Sequence, residues 1–435
     1  MSKCRVVVTG MGIINSFEKD TLCSSKEQYW RSIAAGKSAV APWQPQETED
    51  FPVKYAATIN FDVFKEKYQA DLLDVPLLER RGYFGFVSAQ NAFKDAFKDP
   101  KLTQSLRIGC ATCSGVPEIH ESEMVALGST ENYPESLRGH QANKKTGLQH
   151  SGLASTNDRM VSAIAESLSM TGPVLNINGA CAGAAQAIGL AYRAIQRGEA
   201  DAMLAGGADS VSNTRVMSGL FLLGATATSS PKKEALCCPF DQGRSGLVAG
   251  EGGAFLVLES EASAKARGAI IYAEIVGYGS SLDAYKVTAP HPEGKGAEAA
   301  ITAALNDANL QPKNIDYINA HGTSTPMNDV VETQSIKKIF AESGADYPLV
   351  SSTKSMIGHW ISAAAAPEAI ATVLAIHHSL VPPTINLTTP DVHCDLDYVP
   401  NEARKKKIHY ALSNSFGFGG INACIVFGAY NNAEK

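Results

Sequence analysis

The sequence has no long field of lysine and arginine interleaved with aromatic residues, and its formal net charge is -6, so it has no general attraction for nucleic acid. It has no uninterrupted apolar run of the roughly 18 to 20 residues that cross a bilayer, and no membrane span is expected. Met1 to Arg5 lead straight into a short valine run and then glycines, with no apolar stretch long enough for a secretory signal; the expected compartment is the cytoplasm. Nine cysteines in 435 residues are too few and too scattered for a disulfide framework, and the odd count leaves one over. Reduced thiols are expected. Cys110 and Cys113 have the spacing of a redox pair, but they sit in a small-residue apolar run that reads as a buried strand. No second pair completes a metal site, and no metal is expected.

What is present is a globular balance: hydrophobic residues make up 44% and charged residues 19%. Strand-like apolar runs occur at 6–10, 108–112, 174–178, 202–205 and 254–258, then at 271–277, 315–320, 349–352, 410–414 and 423–427. Between them, alanine-rich segments at 182–197, 296–308, 329–340 and 362–377 carry apolar residues at helical spacing. Alternating strands and helices predict α/β layers. The length exceeds one ordinary domain, which means two domains or one large fold with two similar halves. A hinge between halves is expected near 260–267, where a short charged helix follows Gly250-Glu-Gly-Gly253. The polar, aperiodic stretch 118–151 reads as a long excursion that helps form a subunit interface.

Four segments can carry chemistry. In Asn178-Gly-Ala-Cys181-Ala-Gly, a strand gives way to a small-residue helix, so Cys181 is expected on a tight turn at a helix N-terminus. Unsatisfied N–H groups and the helix dipole there favour the thiolate. The alternative is an ordinary buried cysteine. Asn319-Ala-His321-Gly-Thr323-Ser-Thr325-Pro326 puts a histidine where a strand breaks into a polar turn, beside hydroxyls suited to the amides of a long thin substrate. Ser351-Ser-Thr353-Lys354-Ser-Met-Ile-Gly358-His359 places a lysine five residues before a second histidine, and its charge disfavours protonation of nearby imidazoles. Asn414-Ser-Phe416-Gly-Phe418-Gly-Gly420 alternates rings with glycines, a loop able to swing a ring while offering backbone donors, or a plain turn held by two core rings. No nucleotide-binding loop has this form.

These segments in this order resemble the elongating β-ketoacyl-acyl carrier protein synthases, thiolase-like condensing enzymes. The resemblance extends from Val6-Val-Val-Thr-Gly-Met-Gly12 through Pro239-Phe-Asp-Gln-Gly243 to the C-terminus and is weakest over 18–155. It implies a thiolase fold, two similar βαβαβ halves (1–262 with the cysteine, 263–435 with the histidines and lysine) in a five-layer α-β-α-β-α arrangement. It implies that Cys181 takes an acyl group from the carrier's phosphopantetheine, with the backbone N–H groups of Cys181 and Phe416 as oxyanion hole. His321 and His359 would bind a malonyl thioester and promote its decarboxylation; the enolate would attack the Cys181 thioester. Lys354 would tune the histidines, Glu332 would support them, Thr323 and Thr325 would hold the pantetheine arm, and Phe416 would be the gating ring. No cofactor is implied beyond the pantetheine carried by the partner.

Two departures concern the acyl pocket. Aligned on Ser114-Gly115 and on Ser155-Thr156, Thr112 and Gly152 stand where the family carries a bulky aliphatic residue and a phenylalanine, which implies a wider channel for rigid or conjugated chains. Three readings follow: a fatty-acid elongating homodimer, the catalytic subunit of a type II polyketide or polyene system paired with a chain-length-factor-like partner, and a non-catalytic interaction subunit. Intact Cys181, His321, Lys354 and His359 weigh against the last. For an acidic carrier protein, Arg80-Arg81 and Arg404-Lys405-Lys406-Lys407 are candidate contacts.

Overall fold

The computed structural model describes residues 4–18, 22–43, 51–73, 75, 78–99, 103, 105–115, 156–212, 214–228 and 236–431. The excursion at 118–151 and Gly152 lie outside the described residues.

Ten strands form one hydrogen-bonded sheet: β1 Val6–Ile14, β2 Ile108–Cys113, β3 Val174–Ile177, β4 Ala202–Asp209, β5 Gly252–Ser260, β6 Ala273–Leu282, β7 Tyr317–Asn319, β8 Leu349–Ser351, β9 Tyr410–Phe416 and β10 Ile421–Gly428. Their lateral order is β8-β7-β9-β10-β6-β1-β5-β4-β2-β3. Outward from the β6/β1 junction, the first half runs β1-β5-β4-β2-β3 and the second runs β6-β10-β9-β7-β8, the same order advanced by five strands. Polarity repeats as well. The two inner pairings of each half are antiparallel and the two outer ones parallel.

The helices repeat in step: α1 Arg80–Ala96, α2 Asn157–Ser167 and α3 Gly183–Gln196 in the first half; then α4 Glu261–Ala266 at the junction; then α5 Lys295–Ala308, α6 Pro326–Ser343, the short α7 Lys354–Ile357 and α8 Ala365–His378. Three hydrophobic clusters show how these elements are layered. The central one joins α3 and α8 to both half-sheets; the outer two seat α1 with α2, and α5 with α6. The result is the expected five-layer order. Strand alternation divides side chains between layers: Ala254, Leu256 and Leu258 of β5 enter the central cluster while Phe255 and Val257 face outward. On β10, Ala423, Ile425 and Phe427 face the centre, and Cys424 and Val426 face out. β1, β2, β4 and β5, buried on both faces, read as continuous apolar runs rather than alternating ones. Among the described residues no helix is long and apolar enough to cross a membrane.

β1 runs past its expected end at Gly10 to Ile14, and glycine is the reason. A Cβ on Gly10 would lie 2.5 Å from the Ala92 carbonyl oxygen, and one on Gly12 would lie 2.2 Å from that of Ser88. The bare strand lets the α1 backbone settle directly on it. The second half repeats the device: Cβ atoms on Gly277 and Gly279 would lie 2.3 and 2.2 Å from the carbonyl oxygens of Ala304 and Ala300 in α5.

The segment expected to act as a hinge holds the short helix foreseen there, but it is a tied junction. Ser260 caps α4, Arg267 pairs with Glu259, and Arg5 bridges Glu261 and Glu274. Val6, Val7 and Val8 pair with Ile275, Glu274 and Ala273, so the two half-sheets are joined by backbone hydrogen bonds rather than by a linker. Gly12→Val and Gly279→Val are expected to destabilise the fold by about 3 kcal/mol each, since helix backbone cannot yield to a branched side chain. Chemical unfolding midpoints check this.

Candidate active site

β3 ends at Ile177 and the chain turns through Ala180, whose φ of +44° is in the left-handed region an alanine seldom adopts. The single 3₁₀ turn Ala180–Ala182 then feeds α3, and Cys181 sits on it, buried. The sulfur opens on a cavity of about 210 Å³ that also takes in His321, His359, Phe416, Phe418, Thr323 and Thr325. The thiol and both imidazoles therefore share one chamber.

The resting state of the sulfur differs from the thiolate expected at a helix start. Burial pushes the Cys181 thiol up to about 11, although the Phe418 backbone N–H donates to it and the Lys354 charge lowers its proton affinity. Lost hydration outweighs what the backbone donors and the Lys354 charge return. One of the two backbone donors also differs from the expected pair. Beside the expected Cys181 N–H, the backbone N–H that reaches the sulfur is that of Phe418, two residues beyond Phe416, because Phe416 is still in β9, paired with Asn422. The Phe416 ring instead packs against His321, with centroids 5.9 Å apart. Between the two phenylalanines, Gly417 keeps the space over the nucleophile open: a Cβ there would lie 3.0 Å from the Cys181 nitrogen. The Cys181 and Phe418 N–H groups thus form a donor pair for an oxyanion on a Cys181-bound acyl group.

His321 follows β7. Glu332, on α6, accepts from the backbone N–H of His321 at 2.9 Å and of Gly322 at 2.8 Å, and from the Asn414 side chain at 3.1 Å, so it holds the histidine loop by its backbone. Burial raises the Glu332 carboxyl, with those N–H donors pulling it back. Lys354, 1% exposed, lies with its Nζ 3.3 Å from His321 Nδ1. An ammonium donating to Nδ1 leaves the ring proton on Nε2. His359 closes the group with its ring 5.5 Å from that of His321 at 88°, and its buried Nδ1 has no partner among the described residues. Burial holds both imidazoles well below the usual histidine range, and the Lys354 charge adds to it. Both rings are thereby held toward the neutral form.

Sequence reasoning missed Glu368, which ion-pairs with Lys354 from the first turn of α8. The signal was there: Glu368 is the one charged residue in the apolar run 361–376. Burial pushes its carboxyl up to about 7, and Lys354 pulls it down. Among the other expected residues, Thr323 and Thr325 line the cavity with their hydroxyls 2.8 Å apart. Thr112 does not line it. Ala111 and Cys113 face the central layer, strand alternation turns Thr112 the other way, and its hydroxyl lies 3.4 Å from Asn176. Of the basic candidates, Arg80 is paired with the buried Glu251, and Arg81 with Glu79 and the Gly115 carbonyl. Arg404 is paired with Asp397, while Lys405 to Lys407 are exposed and away from the cavity lining. No group of three or more His, Cys, Asp and Glu among the described residues is arranged to hold a metal.

Gly417→Ala is expected to lower kcat by about 10²-fold by crowding the Cys181 N–H, while the thermal midpoint is unchanged. Lys354→Met removes a charge that lowers histidine proton affinity, so the acid limb of the pH–activity profile is expected to move toward neutrality. A limb left in place would show that burial alone keeps the rings neutral.

Comparison with known proteins matches this architecture. Residues 3–264 match the beta-ketoacyl synthase N-terminal domain and residues 272–388 its C-terminal domain. A 3-oxoacyl-[acyl-carrier-protein] synthase 2 of Coxiella burnetii is 38% identical over 432 residues, covering 98% of this chain and 99% of that one. Among solved structures, a type II polyketide synthase acyl-carrier protein in complex with its ketosynthase bound to the hexaketide matches with a TM-score of 0.85 at 32% identity over 99% of this chain and 100% of that one. The ishigamide ketosynthase/chain length factor matches at 0.84 and 33%, again over 99% and 100%. With a cysteine-histidine-histidine chamber between two repeated halves, and both family domains matched in order, the chain belongs to the beta-ketoacyl synthase family.

Proposed function

We propose that this protein is a β-ketoacyl-acyl carrier protein synthase that extends an acyl chain held on Cys181 by decarboxylative condensation with a malonyl unit. The observation that carries it is a buried thiol sharing one cavity with two imidazoles that burial, aided by the Lys354 charge, holds toward the neutral form.

The chemistry follows from those groups. A thiol with proton affinity this high is a weak nucleophile until a base takes its proton, and a neutral imidazole in the same chamber is that base. Sulfur attacks the acyl thioester carbonyl, the Cys181 and Phe418 N–H groups hold the oxyanion, and the pantetheine thiol leaves with the proton. The malonyl thioester then enters with its carbonyl oxygen facing the N–H groups of His321 and His359. As the bond to the carboxylate breaks and carbon dioxide departs, the electron pair forms an enolate whose oxygen these two donors stabilise. The enolate carbon attacks the Cys181 thioester; the carbon–sulfur bond breaks, and a carrier-bound 3-ketoacyl chain results. Phe416 stands beside His321 as a wall of the malonyl side, and Thr323 and Thr325 line the route of the pantetheine amides. The acyl groups travel on the carrier, so the protein needs no cofactor of its own.

The halves 1–262 and 263–435 act as one unit in this reading, with the nucleophile in the first and the proton-handling groups in the second. The protein acts in the cytoplasm with acyl carrier protein as partner, as a dimer. The edge strand β3 supports the dimer, since its outer backbone edge is unpaired among the described residues and Val174 and Leu175 are exposed on it. Fatty-acid elongation is the first reading, supported by the named synthase at 38% identity. The second reading is the catalytic subunit of a type II polyketide or polyene system with a chain-length-factor-like partner, supported by the two polyketide-type structures.

Acyl- and malonyl-loaded carrier protein should give a 3-ketoacyl carrier, read by mass spectrometry, and an acylated Cys181 peptide. Cys181→Ala should lose both; product formed by that variant would overturn the assignment. Running saturated and polyene acyl carriers, with and without a candidate partner subunit, separates the two readings.

A further inference from the structure

The repeat of the fold extends into the site. The 3₁₀ turn Ala180–Ala182 precedes a helix of 14 residues, and the turn Ile361–Ala363 precedes the 14-residue α8. Ala180 and Ile361 open their turns with the same φ of +44°. Counted from those residues, Ser362 occupies in the second half the place Cys181 has in the first. Each turn is also met from the other half at the end of its fourth strand. Phe418, just past β9, sends its N–H to the Cys181 sulfur. Asp209, which ends β4, takes both the N–H of Ser362 at 3.1 Å and its hydroxyl at 3.0 Å on one carboxylate oxygen.

The two turns touch. A Cβ on Gly183 would lie 2.6 Å from Cys113 Sγ and 3.5 Å from the Ser362 carbonyl oxygen, to which the Cys113 thiol donates at 3.0 Å. The Ser362 turn also links His359, three residues before it, to Glu368, six residues after it.

We propose that Asp209 is a positioning residue for the condensation: its carboxylate clamps the Ser362 turn, the second half's counterpart of the nucleophile's turn, and thereby sets where the sulfur, His359 and the Lys354–Glu368 pair meet. This rests on the condensation reading above. Asp209 is 2% exposed and its charge is answered by Arg81 of α1, 3% exposed. Gly115 packs so closely that a Cβ there would lie 2.4 Å from Asp209 Oδ2. Burial pushes the carboxyl up to about 6, with Arg81, Ser362 and Ser210 pulling it down, so it is ionised at neutral pH. The other ionisable groups facing this site are Glu79 behind Arg81, Glu251 across Ser210, and the thiols of Cys113 and Cys181. The Asp209 charge raises the proton affinity of Cys181. The clamp therefore has an electrical signature at the sulfur as well as a geometric one.

The test measures kcat and KM together with the pH dependence of iodoacetamide alkylation at the Cys181 peptide, an assay that needs no substrate. Asp209→Ala is expected to lower kcat by about 10²-fold with KM nearly unchanged, and to move alkylation to lower pH. Asp209→Asn keeps an acceptor for Ser362; it should recover part of kcat while showing the same alkylation shift. Ser362→Ala should lower kcat without moving the alkylation profile. A folded Asp209→Ala protein with wild-type kcat and wild-type alkylation profile overturns the proposal. If that variant does not fold, an unshifted profile in Asp209→Asn overturns it. Wild-type protein that forms no acyl-enzyme would sink the condensation reading alone, because the alkylation profiles still report on Asp209.

Discussion

Everything reactive in this protein is arranged around the ion pair of Lys354 and Glu368, each side chain 1% exposed. Burying two charges is costly, and a pair so deep is weak evidence for stability. Its effect here is to place the Lys354 ammonium beside His321 and within electrostatic reach of His359 and Cys181. The imidazoles stay neutral, with N–H groups to offer, and the sulfur is made somewhat more acidic than burial alone would leave it. Without Glu368 the ammonium would sit uncompensated in the core; without Lys354 the histidines would lose both a proton-directing neighbour and a reason to stay uncharged.

The pair spans elements that only the repeated architecture brings together. Lys354 opens α7 just after β8, and Glu368 is in the first turn of the central helix α8. The nucleophile stands at the start of the other central helix, α3. Two helices from opposite halves share the middle layer, and their N-terminal turns abut, so the cysteine of one half faces the proton-handling groups of the other. Glycine on the first strand of each half makes this packing possible by letting the outer helices lie close.

Much of this was legible in the sequence. Each chemical segment lies at a strand end, and the residues on both sides of the turn write its local form: small residues around Cys181, a glycine after His321, alternating glycines after Phe416. The strand runs were placed well and their ends poorly, since glycine in β1 and β6 looked like a stop and is a packing surface. Glu368 was overlooked because a single carboxylate in an alanine-rich helix has no spacing to its lysine that a motif search would see. Which face of its strand Thr112 takes was not legible either, because alignment counts residues along a strand and does not count faces.

The sequence by itself determined the layered class, the run of strands in each half and the turns that carry Cys181, His321, Lys354 and His359. These depend on neighbours within one turn or one strand. The tertiary structure decided the protonation of Cys181, the choice of Phe418 over Phe416 as its backbone donor, the partner of Lys354 and the outward turn of Thr112. Proton affinity and hydrogen-bond reach are sums over everything nearby in space, and at this site most of what is nearby comes from the other half of the chain.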